Sequence, residues 1–237
     1  MTVLKDHTQI LSTRPSPLKS LSLAQCFDRV TEIANFCAAN AAEIDYNGVF
    51  PVQEFKLIAE GGILAIPLMR EFGGLGLGID ASLTHELLII LKKIGWGNLA
   101  VGRIFEGHIN ALQLVQTFGT LEQIEHYAQA ARDEHKIFGV WNAEAGDGVQ
   151  IIPLSSGHYQ LQGSKTFCSG SGYVERPFVN GRLPDGGWQM CIVPMEDVTT
   201  VSDPNWWQPS GMRATASYKV DFSGVEVDER ANCTTRR

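Results

Sequence analysis

Residues 163–172 read GSKTFCSGSG, a run in which glycines and serines crowd around a Lys-Thr pair. Such a composition can hold a phosphate, because backbone amides at a helix N-terminus and a lysine ammonium meet the negative charge. That chemistry needs G-x-x-x-x-G-K-[ST] leading into a helix. Here Ser164 separates Gly163 from Lys165, the upstream glycine is missing, and the flanking residues are strand formers, so a phosphate loop is excluded. Pattern alone leaves a β-strand ending in a flexible turn. GGLGLG, residues 73–78, follows no strand and does not fit G-x-G-x-x-G, so it reads as a turn between helices and not as a dinucleotide site.

Other reactive side chains are scattered. Six histidines, at 7, 85, 108, 126, 135 and 158, form no HExxH and no pair at metal-ligand spacing, so no metal site is expected. His85 and His108 are expected on helix surfaces or at packing seams. No serine sits in a G-x-S-x-G elbow. The five cysteines, 26, 37, 168, 191 and 233, are odd in number and make no CxxC, which favours reduced thiols over disulfides or structural zinc. Read alone, Cys168 is a small buried hydrophobe.

The elements that must position these groups fall into two textures. Residues 1–135 carry helical periodicity. One apolar stripe runs Leu23, Cys26, Phe27, Val30, Ile33, Ala34, Cys37. Pro51 to Gly61 predicts a second helix, Leu83 to Ile94 a third and Phe105 to Val115 a fourth. Thr120 and Gln123 have capping-box spacing and predict a fifth helix to about Arg132. From Lys136, short β-rich runs separated by Gly, Pro and Asp predict an antiparallel β-barrel or sandwich over 136–230, followed by a short polar tail at 231–237. Helices first and strands second give a segregated α+β fold.

Bulk properties limit partners. A net charge of -7, without a basic run, argues against nucleic-acid binding. Nowhere do eighteen apolar residues run together, and the first twenty residues have no apolar signal-peptide core, so no membrane partner and a cytoplasmic location are expected.

Three stretches together resemble the acyl-CoA dehydrogenase superfamily of flavoproteins. They are GGILAIPLMREFGGLGLG (61–78), FGVWNAEAGDGVQ (138–150) with YQLQGSKTFCSGSG (159–172), and GMRATASYKVDFSGVEV (211–227). They resemble, in turn, the family's P-x-x-x-GGLG turn, its T-E-P-x-A-G-S-D loop with the following L-x-G-x-K-x-(W/F) strand, and its GMR-(G/A)-T-x-S segment. The resemblance implies a helical domain followed by a β-barrel domain, and FAD as cofactor. Phe167 takes the place of the aromatic that stacks on the flavin, Ser169 that of the hydroxyl beside it, and Cys168 lies between them. Val140, Trp141, Asn142 and Ala143 belong to a loop, ending at Glu144, that faces the same ring. Asp147 and Gly148 fall where the family meets its acyl substrate.

Several positions depart from the family. Ala143 stands for its threonine, Ala145 for its proline, and AGDG for AGSD. No residue matches the glutamate that acts as catalytic base. The chain ends in DERANCTTRR just after the strands, so the family's C-terminal helical domain is expected to be missing and the chain truncated. The resemblance therefore implies an FAD-dependent oxidoreductase that dehydrogenates an acyl thioester such as an acyl-CoA, self-associating or completed by a second chain. The departures keep two alternatives open: a flavin-dependent monooxygenase of the same superfamily, or a non-catalytic remnant acting at most as a binding module.

Overall fold

The structure is a computed structural model that describes residues 21–146, 148–154, 157–228 and 232–233. The first twenty residues and most of the predicted tail thus lie outside the described residues, as does Asp147.

Helix α1 (Leu23–Asn47) starts on a reciprocal Ser22–Gln25 capping box and stops where Gly48 takes a left-handed conformation. Its predicted stripe is the buried one, with Cys26, Val30, Ile33, Ala34, Cys37 and Ile44 inside. Helix α2 (Val52–Glu60) is followed by two short 3-10 turns, Ile63–Ala65 and Arg70–Phe72, that lead into the GGLGLG segment. A Cβ on Gly74 would collide with the carbonyls of Leu68 and Ala65, so this turn closes only around glycine. Helix α3 (Thr84–Gly97) packs on α1, α4 (Leu99–Phe118) runs through the interior, and α5 (Leu121–Arg132) opens on the predicted Thr120–Gln123 box.

The second half is strands β1 (Phe138–Trp141), β2 (Gln150–Pro153), β3 (His158–Gln162), β4 (Ser164–Cys168), β5 (Arg176–Arg182), β6 (Trp188–Ile192), β7 (Val201–Asp203), β8 (Tyr218–Asp221), β9 (Val225–Asp228) and β10 (Asn232–Cys233). They form two sheets. The larger has the order β10-β6-β5-β2-β3-β9 with β1 beside β5, and the smaller the order β4-β8-β7. The segregated α+β order is as expected, but the pairing is mixed: β1 and β2 both meet β5 in parallel. The cause for β1 is local. The Ile137 carbonyl accepts from the N–H groups of Glu175 and Arg176 at 2.9 and 3.1 Å, so β1 and β5 leave the helical half from one edge and run the same way. Strand β7 is exposed throughout and β2 buries one residue, Ile151, so neither has a strong apolar alternation.

The two halves share one core. His108 of α4 is fully buried, and β1 packs along that helix. Its Nδ1 accepts from the Phe138 N–H at 3.0 Å, so the ring proton sits on Nε2 and is donated to the Leu64 carbonyl at 2.8 Å. Burial holds the imidazole well below its usual range, at about 4. A second seam stacks Tyr173, just after β4, on Phe50 between α1 and α2, with ring centroids 3.8 Å apart.

The His108 shift predicts a pH dependence. Between about 6.5 and 4 the unfolded chain binds a proton that the folded chain refuses, so stability is full above that window and falls as pH drops through it. Between pH 7 and pH 5 this residue accounts for a loss of about 2 kcal/mol. In urea denaturation at the two pH values, His108→Gln, which keeps a neutral donor and acceptor, removes that part of the loss.

Candidate functional site

The expected site gathers at one end of the small sheet. Strand β4 pairs with β8 as Lys165↔Val220 and then Cys168↔Tyr218, so one extra residue is accommodated on β4. Phe167 sits in that bulge at φ 52°, a left-handed conformation costly for an aromatic. By simple alternation it would share a face with buried Lys165. The bulge turns it outward instead, and it is 52% exposed while Lys165, Thr166 and Cys168 are inside. Two tryptophans flank it edge-on, Trp206 at 6.1 Å and Trp207 at 6.0 Å between centroids. The result is a half-open aromatic shelf.

Behind the shelf runs a chain of hydroxyls. Ser169 Oγ lies 2.9 Å from Ser217 Oγ, Ser217 Oγ lies 2.7 Å from Thr215 Oγ1, and Thr215 Oγ1 donates to the Met212 carbonyl at 2.9 Å. Trp207 Nε1 donates to the same carbonyl at 3.2 Å. Met212 and Ala216 also have positive φ, 58° and 44°. Backbone bonds hold this strained segment against β4: Gly170 N–H donates to the Thr215 carbonyl at 2.7 Å and Ser171 N–H to that of Ala216 at 3.2 Å. Arg213 fastens it to the helical half by donating to the Asp45 and Tyr46 carbonyls at the end of α1, at 2.5 and 2.8 Å.

The loop after β1 lies beside β4, where the Thr166 N–H donates to the Ala143 carbonyl at 2.9 Å. Lys165, wholly inside, donates from Nζ to Glu144 Oε1 at 2.5 Å and to Asn180 Oδ1 at 2.6 Å. Desolvation pulls its pKa down against the opposing pull of Glu144. A Cβ at Gly148 would overlap the Glu144 carboxylate, so this glycine makes room for the ion pair.

The sequence-predicted residues divide accordingly. Phe167 and Ser169 stand together, and Asn142 and Ala143 are exposed on the loop beside them, with Val140 half-buried at its root. Two of the expected residues turn their side chains inward. Trp141 is 1% exposed, stacks toward Phe222 and donates its Nε1 to the Ser169 carbonyl at 3.0 Å, so its side chain braces the shelf from inside. Cys168 is also buried, its thiol pushed up to about 12, because the bulge sends only Phe167 outward. Asp147 falls outside the described residues, and Gly148 serves Glu144. Sequence reasoning gave no role to Thr215, Ser217, Trp206, Trp207, Lys165 or Asn180. The Trp206-Trp207 doublet and the alternating hydroxyls of Thr215 and Ser217 were the available signals.

A cavity of ≈ 380 Å³ lies in the helical half, lined by Leu21, Arg70, Leu75 and Leu83 among others, and contains none of these residues. Among the described residues no group of three or more His, Cys, Asp or Glu could hold a metal, and no helix is long and apolar enough to cross a membrane.

Comparison with known proteins agrees with this architecture. Residues 26–134 match the family described as acyl-CoA dehydrogenase, N-terminal domain. The chain is 27% identical over 202 residues to dibenzothiophene monooxygenase of Rhodococcus erythropolis, covering 80% of this chain and 46% of that protein. It is 33% identical over 140 residues to acryloyl-CoA reductase (NADH) of Anaerotignum propionicum, covering 56% of this chain and 34% of that one. The crystal structure of FMN-bound TdsC from Paenibacillus sp. A11-2 superposes with a TM-score of 0.81 at 27% identity, covering 89% of this chain and 54% of that one. The chain spans about half the length of the relatives it matches.

The buried ion pair predicts an asymmetry. Glu144→Gln leaves the Lys165 ammonium buried without a counter-charge, with neutral oxygens as its partners, and costs about 3 kcal/mol in chemical denaturation. Lys165→Met costs less, because the partly exposed Glu144 carboxylate can turn to water.

Proposed function

We propose that the chain is the flavin-holding part of a flavin-dependent monooxygenase of the acyl-CoA dehydrogenase superfamily, using FMN and acting on a small, largely apolar molecule, a reading supported by the family match over residues 26–134 and by the likeness to the FMN-bound structure. The described residues fit such a cofactor. Phe167 offers a half-exposed ring face to a flat heterocycle, and the half-buried Ser169 stands beside it with its hydroxyl joined to Ser217. When bound and reduced, the flavin supplies electrons to dioxygen, so that one oxygen atom enters the substrate and the other leaves as water.

This chain's own residues bind, orient and shield. Phe167, held by Trp206 and Trp207, packs on the ring face, and Ser169 meets its polar edge. The Lys165–Glu144 pair keeps the loop around Glu144 against β4. The observation that carries the monooxygenase reading is the extent of the similarity, which runs over 202 residues with the dibenzothiophene enzyme and over 140 with the acryloyl-CoA enzyme. Ala143 in place of the family's threonine points the same way. FMN in place of the expected FAD is supported by the FMN-bound neighbour.

The test is an absorption titration of the purified chain with FMN and with FAD, followed by anaerobic reduction and exposure to oxygen. FMN binding, no bleaching by acyl-CoA, and oxygen uptake after chemical reduction are expected. Bleaching by an acyl-CoA restores the dehydrogenase reading, and failure to bind either flavin leaves the chain a non-catalytic module. Phe167→Ala is expected to weaken FMN binding by about tenfold.

A further inference from the structure

Helix α1 ends in carbonyls that its own sequence does not serve. The last turn of an α-helix leaves its C=O groups without intrahelical partners, and α1 has no basic residue there to meet them. The Gly48 N–H donates to the Ile44 carbonyl, and the next two carbonyls are met from the other half of the molecule. Arg213 Nη2 donates to Asp45 at 2.5 Å and to Tyr46 at 2.8 Å, across 168 and 167 residues of chain. Its Nε is buried without a partner, so the two carbonyls, and not a full set of partners, set where the guanidinium lies. The approach is close: a Cβ on Gly48 would stand 3.3 Å from Arg213 Cβ.

The backbone of Arg213 belongs to the strained segment. It opens the 3-10 turn Arg213–Thr215, which lies between the left-handed residues Met212 and Ala216. The carbonyls of this segment hold parts of the shelf. That of Met212 accepts from Trp207 Nε1, and the Trp207 ring stands 6.0 Å from that of Phe167. Those of Thr215 and Ala216 accept from the N–H groups of Gly170 and Ser171, the two residues that follow Ser169. A second link runs beside the first. Tyr173, whose N–H donates to the Gly170 carbonyl, stacks on Phe50 just past the end of α1. Ala214 completes the seam in a buried cluster with Ile44 and Ala100.

A non-glycine backbone at positive φ persists only where its surroundings hold it. Met212 directly precedes Arg213, so losing the bonds of the guanidinium lets the turn relax and shifts the groups that flank the shelf. We propose that Arg213 is a positioning residue of the flavin site and couples flavin binding at the shelf to the order of the last turn of α1. The inference rests on the flavin reading above and adds to it a residue outside the shelf and a second region that responds to binding. Such coupling is reciprocal: if the anchored turn favours bound flavin, bound flavin favours the anchored turn.

The experiment joins two measurements on the full chain. In hydrogen exchange read by mass spectrometry, saturating FMN is expected to slow exchange of the backbone amides of residues 44–48 in the natural chain, and not in Arg213→Met. In absorption titrations, Arg213→Met is expected to weaken FMN binding about tenfold, through loss of two charged hydrogen bonds that anchor the turn. Arg213→Lys, which keeps the charge and a donor, loses about threefold or less. Ile124→Ala, which opens the packing of α5, lowers the urea midpoint and leaves FMN affinity unchanged, so general destabilisation is told apart from positioning. In the Phe167→Ala background Arg213→Met adds a further loss of only about threefold or less, because part of its effect passes through that ring. Unprotected 44–48 amides in the FMN-saturated natural chain overturn the inference while leaving the flavin reading intact, and need no variant to fold. Natural FMN affinity in Arg213→Met, or losses that simply add with Phe167→Ala, overturn it likewise. A natural chain that binds no FMN overturns both.

Discussion

The site depends on a histidine that must stay uncharged. Protonating His108 would force Nδ1 to become a donor facing the Phe138 N–H, at a fully buried position. Because it stays neutral, the imidazole fixes the first residue of β1 to α4 and to the Leu64 turn together. The far end of that short strand is Trp141, whose indole N–H holds the Ser169 carbonyl. One buried ring in the helical half thus sets, through a single strand, where the first hydroxyl of the shelf stands.

From Ser169 outward the structure accepts strain. Phe167, Met212 and Ala216 all have positive φ without being glycine, a conformation that costs of order 1–3 kcal/mol each. Such residues persist only where neighbouring bonds over-determine them. Here the backbone bonds from Gly170 and Ser171 to the 215–216 segment, and the Arg213 clamp on the end of α1, supply that restraint. The outcome is an aromatic face presented to solvent and a hydroxyl chain presented to that face. A relaxed β4 would have buried the phenyl ring instead.

The helical half was legible in the sequence because its signals are local. The stripe Cys26 to Cys37 is the buried face of α1, and the Thr120–Gln123 box starts α5 where its spacing predicts. The strands were legible as elements, but not in their pairing. The parallel β1–β5 contact depends on where two strands leave the helical half, which no period-two pattern encodes. In the site, one inserted residue decided the outcome. Alternation cannot tell that Phe167 turns out while Cys168 turns in, since that follows from a bulge visible only once β8 is paired. Lys165 and Asn180 could not be linked in advance, because the ion pair they complete joins residues from a loop and two strands.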